Sequence, residues 1–173
     1  PFKETGTRGV LRFDPDELYE LAREAHVAGF RIGAHAIGDV ALTQLLDVYD
    51  RLRREHPVGP RHRIEHFGVA SDEQVARAAR LGVVPVPQGR FVNELGDGIA
   101  RAMGEPRTRF CYRMRSLLDA GMVVPASTDA PVVDYPPLAN IHDMVNRSTS
   151  SGAPFVPEER VTVAEAVHAH GLI

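Results

Sequence analysis

Short apolar runs in this chain stop at residues that can do chemistry. Phe30-Arg31-Ile32-Gly33-Ala34 stops at His35, and His62-Arg63-Ile64-Glu65 stops at His66. Val83-Val84-Pro85-Val86 stops at Gln88, and Met122-Val123-Val124 leads to Ser127-Thr128-Asp129-Ala130-Pro131. If the runs are parallel strands, their ends meet at one edge of a sheet. Two imidazoles and a carboxylate converging there suit a divalent metal: zinc first, but also manganese, iron or nickel. Each residue also has an ordinary reading. A lone strand-end histidine is usually a hydrogen-bonded structural residue, and Asp129 ahead of Ala-Pro can simply cap a turn. The recurrence of the same position in successive units favours the metal.

The other candidates weigh less. Asp39 follows Gly38 at a helix start and reads as an N-cap. His26 lies near a helix C-terminus, where an imidazolium suits the dipole. His56 precedes Pro57 in a loop, and His62 opens the second run at the end opposite the site. His142 shares a helical face with Leu138, Ile141 and Val145 and reads as packed. His168 and His170 follow a capped helix start, where i and i+2 point apart, so both read as structural. Cys111 has no His or Asp partner in a recognisable pattern and reads as a buried thiol.

The elements that must position these residues follow one rhythm. Leu18, Leu21, Ala22 and Ala25 share a helical face before Gly29. Val75, Ala78 and Ala79 do so before Gly82, and Met114, Leu117 and Leu118 before Gly121. The spacing is that of an amphipathic helix, and the glycine suits the left-handed position that ends one. A further helix carries Leu42, Leu45, Leu46 and Tyr49. Asp14-Pro15-Asp16-Glu17, Ser71-Asp72-Glu73-Gln74 and Thr162-Val163-Ala164-Glu165 carry helix-start signals. Helices alternating with four strands predict an α/β fold with parallel strands and right-handed crossovers. Residues 88–109 and 127–137 read as long connections after the third and fourth strands, where such folds place their chemistry.

Composition sets limits. The chain has 173 residues, with 43% hydrophobic and 25% charged, enough for a core. A net charge of −3 argues against nucleic acid or an anionic membrane as the main partner. One cysteine excludes an intrachain disulfide and a cysteine zinc cluster. No apolar run is long enough to span a bilayer, and no leader-like segment opens the chain at Pro1, so a cytoplasmic location is the expectation. No Gly-rich phosphate loop follows any strand, against a flavodoxin-like binding domain. A complete eight-fold β/α barrel takes about 250 residues, too many for this chain.

Four ordered motifs carry a resemblance. His35-Ala36-Ile37-Gly38-Asp39, Arg63-Ile64-Glu65-His66, the segment Gly104 to Gly121, and Ser127-Thr128-Asp129-Ala130-Pro131-Val132 resemble the metal-dependent amidohydrolase superfamily. The similar branch is amidohydrolase family 3, with its YtcJ-like and N-substituted formamide deformylase-like members. Thr128 stands as an insertion in the last motif. The resemblance implies a single partial domain over 1–173, supplying about strands 5 to 8 of a TIM-type (β/α)8 barrel. The first-strand H-x-H, the fourth-strand carboxylate and the terminal β-sandwich of the family are not matched. It also implies metal ligation by His35, His66 and Asp129, with Asp129 as the catalytic base for hydrolysis of an amide, formamide or related C–N bond. Gln88 and Arg90 are the expected contacts to a small amide-type substrate. Four β/α units leave open sheet edges, so the alternative is an inactive half-barrel that self-associates or needs a partner chain.

Overall fold

The computed structural model describes residues 2–171. Helix α1 (Pro15–Val27) starts where the Asp14 carboxylate accepts the Asp16 N–H at 2.9 Å, with Pro15 at its first position. It leads to strand β1 (Gly33–Ala36), helix α2 (Asp39–Glu55), strand β2 (Arg63–His66), helix α3 (Asp72–Leu81) and strand β3 (Val84–Val86). Ser71 and Gln74 close a reciprocal capping box at the start of α3, and Gly82 ends that helix at φ 65°. The strands are parallel in the order β1-β2-β3, with Ala34 opposite Ile64 and Ile64 opposite Pro85.

One face of the sheet is covered by helices. Leu42, Leu45, Leu46, Tyr49 and Leu52 of α2 pack with Ile64, Phe67 and Val75 in the largest core cluster. Fully burying each leucine contributes roughly 2–3 kcal/mol, which anchors α2 beneath the strands. From α1 the buried residues are Tyr19, Ala22 and His26, whereas Leu21 is exposed, so the apolar face is rotated from the expected one. The opposite face of the sheet, carrying Gly33, His35 and Arg63, is open.

The second half of the chain is mostly helical: α4 (Arg90–Glu94), α5 (Gly96–Met103), α6 (Met114–Asp119), α7 (Pro137–Asn146) and α8 (Val163–Gly171), with 3-10 turns at Arg107–Phe110 and Pro157–Glu159. Residues 88–109 are therefore a helical excursion, not a long loop. The excursion buries its own cluster of Phe91, Val92, Met103, Cys111 and Phe155.

Two further expectations are corrected. Among the described residues the sheet has three strands, and the run Met122-Val123-Val124 does not become a fourth. Pro125 has no N–H to give, and the Ala126 N–H donates to Ala169 of α8 at 3.0 Å. Only the Ser127 N–H reaches the sheet, donating to the Pro87 carbonyl at 3.1 Å and forming a single parallel bridge between Ser127 and Gln88. Asp39 is the first residue of α2, not its cap; Gly38 holds that position without a side-chain bond.

Candidate metal centre at the strand ends

Sheet parity by itself would keep the two strand-end histidines apart. Residues in register on parallel strands point to the same face, and neighbours along a strand to opposite faces. His35 is in register with Glu65, and Ala36 with His66. His35 therefore starts on the open face and His66 on the helix-covered one. Yet their rings lie 4.5 Å apart, edge to face. The backbone supplies the reason. His66 has φ 71°, and the Phe67 N–H donates to the Glu65 carbonyl at 3.0 Å around it. That is the pattern of the rare, strained γ-turn. It breaks the strand at His66 and swings the ring back across the sheet edge.

Asp129 is held by a similar device. It has φ 62°, its N–H donates to Ser127 Oγ at 3.2 Å, and its carbonyl accepts from Val132 N at 2.9 Å. The turn brings Asp129 Oδ2 to 4.0 Å from His66 Nε2. Left-handed backbone at non-glycine residues costs on the order of 1–3 kcal/mol each and collects at functional sites. Here it falls on two of the residues singled out from the sequence.

The structure brings His35, His66 and Asp129 to one edge. Desolvation, and then the neighbouring His66 ring, hold the His35 imidazole below its ordinary pKa, opposed in part by Asp129. That direction favours the neutral ring a metal needs, although His35 stays open to solvent. Two imidazoles and a carboxylate are suitable donor types for a divalent cation. Among the described residues, however, no group of three or more His, Cys, Asp or Glu side chains is placed to hold a metal ion. The set is open and needs further donors.

Gln88 and Arg90, the expected substrate contacts, both bond to protein groups. Gln88 is 1% exposed, with its amide between His66 Nδ1 at 2.9 Å and the Val86 carbonyl at 2.8 Å. Arg90 donates to Asp143 and Glu94, turning its guanidinium toward α7.

Three contributors carried no sequence signal as site residues. Phe91 stacks on His66 at 5.9 Å, and Tyr112 meets Phe91 edge-on at 5.7 Å, forming a wall behind the imidazole. Burial, with Cys111 and Asp129 nearby, pushes the Tyr112 phenol up. Asn140 of α7 is fully buried; it accepts from the Arg90 N–H at 2.8 Å and donates to the Ser127 carbonyl at 3.2 Å. It ties the segment after β3 to the one carrying Asp129. An asparagine between apolar helix positions is the one local clue to such a residue.

The remaining histidines form no part of this centre. His26 is buried, with its Nδ1 2.8 Å from His62 Nε2. His142 is exposed rather than packed. Cys111 is buried, and burial raises its thiol to about 11.

Parallel β/α units with donor side chains at the C-terminal strand ends define an α/β protein with its site at the sheet edge. The chain belongs to the amidohydrolase family, whose model matches residues 1–172. It is similar to N-substituted formamide deformylase of Arthrobacter pascens, with 31% identity over 160 residues, covering 92% of this chain and 30% of that protein. It is also similar to the putative amidohydrolase YtcJ of Bacillus subtilis (strain 168), 29% identical over 168 residues, 95% of this chain and 31% of that one. The crystal structure of an uncharacterized metal-dependent hydrolase from Pyrococcus furiosus superposes with a TM-score of 0.84 at 30% identity, over 98% of this chain and 34% of that chain. The chain thus spans about a third of the length of the proteins it matches. Among the described residues, no helix is long and apolar enough to cross a membrane.

Proposed function

We propose that this chain supplies about strands 5 to 8 of a metal-dependent amidohydrolase barrel, the last present here only as the single Ser127–Gln88 bridge, together with half of a catalytic edge that hydrolyses an amide, formamide or related C–N bond. The observation that carries the reading is His66 Nε2 facing Asp129 Oδ2 at 4.0 Å beside the His35 ring. That gap is too long for a hydrogen bond, so the two groups face each other without bonding directly. Two backbones strained in the same left-handed sense hold an imidazole and a carboxylate facing each other, an arrangement that a shared cation would stabilise. The partial share of each relative that the chain covers, and the open face and edge of β1, support further β/α units completing the donor set.

His35 and His66 would hold the metal, zinc first among the candidates, with Asp129 beside it. A divalent cation there supplies Lewis acidity to a substrate carbonyl and acidity to a water. Asp129 takes the proton of the attacking water on its carboxylate and returns it to the leaving nitrogen. Phe91 and Tyr112 exclude bulk water from the far side of His66.

The test uses the full-length protein. Metal content by mass spectrometry is expected to be stoichiometric and to fall in both His35→Ala and His66→Ala. Hydrolysis of an N-substituted formamide or simple amide is expected to be lost in Asp129→Asn with the fold intact. Unchanged metal content in both histidine variants would overturn the ligand assignment, and substantial turnover by Asp129→Asn would overturn the base.

A further inference from the structure

Gln88 offers a reading that goes deeper into the same centre and rests on the proposal that His66 is a ligand. The Val86 carbonyl can only accept a hydrogen bond, so the Gln88 atom 2.8 Å from it is the amide nitrogen. The atom facing His66 Nδ1 at 2.9 Å is then the amide oxygen, which can only accept. His66 must therefore carry its proton on Nδ1. In the neutral ring the lone pair then falls on Nε2, 4.0 Å from Asp129 Oδ2. Free neutral imidazole in water favours the opposite tautomer, with the proton on Nε2, which would block ligation through that atom.

The amide has little freedom to turn over. Gln88 is buried, and the chain on either side of it is pinned. The Pro87 carbonyl accepts from Ser127 N at 3.1 Å. At Gly89 a Cβ would collide with the Asn140 side chain and with Met144, so α7 closes directly over the backbone. We infer that Gln88 is a positioning residue that locks His66 in the Nδ1–H tautomer, presenting the Nε2 lone pair to a metal.

The experiment reads the tautomer directly in the metal-free full-length protein. Histidine is labelled with 15N, and the His66 signals are assigned by their loss in His66→Asn. Solid-state 15N spectra at neutral pH are expected to show His66 protonated on Nδ1 and bare on Nε2. In Gln88→Leu the proton is expected to move to Nε2, and metal affinity to weaken about 10- to 100-fold, the usual effect of losing such a partner. A wild-type His66 protonated on Nε2 would overturn the inference without needing any folded variant. So would a tautomer unchanged in Gln88→Leu. Failure of the wild-type protein to bind metal would sink the proposed function while leaving the tautomer result standing, so the two failures are distinguishable.

Discussion

The ring of His66 lies 4.5 Å from that of His35, although the register of their strands starts the two side chains on opposite faces of the sheet. A left-handed residue at the end of β2 reconciles these facts. The backbone conformation at His66 is therefore part of the site, and its cost is borne by the packing of Phe67, Ile64 and Phe91 around it.

That cost is measurable. His66→Ala and His66→Gly both delete the ring, but only glycine adopts φ 71° without penalty. His66→Gly is expected to be more stable than His66→Ala by about 1–2 kcal/mol, the usual cost of left-handed backbone for an L-residue. Urea unfolding midpoints decide it. At an ordinary strand position the order would be reversed, so an alanine variant as stable as the glycine one would rule out strain here.

Acid is expected to loosen the opposite end of the sheet. The Ile32 N–H donates to His62 Nδ1 at 3.2 Å, so His62 Nε2 carries the proton and donates to His26 Nδ1 at 2.8 Å; His26 Nε2 in turn donates to the His56 carbonyl at 2.9 Å. Protonating His62 leaves the Ile32 N–H without an acceptor. Burial, then His26 and Arg31, push His62 down from 6.5 to about 4. The unfolded chain therefore takes up the proton first, and stability falls as pH drops from about 6.5 toward 4. The loss is on the order of 3 kcal/mol at 1.36 kcal/mol per pKa unit. Unfolding midpoints of wild type and His62→Gln across this range should differ in slope. Parallel curves would remove His62 from the account.

Arg147 is a third pressure point. It is fully buried and donates to the carbonyls of Phe155 at 3.1 Å, Tyr112 at 2.8 Å and Cys111 at 3.4 Å. Burial lowers it to about 10, which still leaves it charged at neutral pH. Arg147→Met strands three buried carbonyls and is expected to cost about 3 kcal/mol or more. Arg147→Lys should recover little, because an ammonium lacks the planar fork that spans them. Denaturant unfolding of the two variants checks this, and a fully stable lysine variant would contradict it.

Local signals made much of this molecule legible before any coordinates. Asp14, Ser71 and Thr162 start helices because each side chain satisfies an N–H two or three residues on, a bond that needs no distant partner. The strands that reach His35 and His66 and the helix packing of Leu42, Leu45 and Leu46 follow from periodicity in the same way. The fourth strand was not legible as absent. Its apolar run looks like the others, and only the folded chain shows Met122 N–H bonded to Leu117 and Ala126 N–H to Ala169 of α8 rather than to the sheet. The helices within 88–109 were missed because α4 and α5 are short and take their stability from a local cluster with Phe155, which lies far along the chain.

The sequence by itself determined which residue types stand at the strand ends and the family to which the chain belongs, since both are properties of order and spacing along one dimension. Only the tertiary structure decided what those residues do there. It places Gln88 against His66 and Arg90 against Asp143, because burial and a second helix, α7, engage polar groups of both. His66 reached His35 only through a strained turn that no hydrophobic pattern encodes. Hydrogen-bond direction, burial and backbone strain depend on which distant atoms come within about 3 Å, and that is settled when the layers pack.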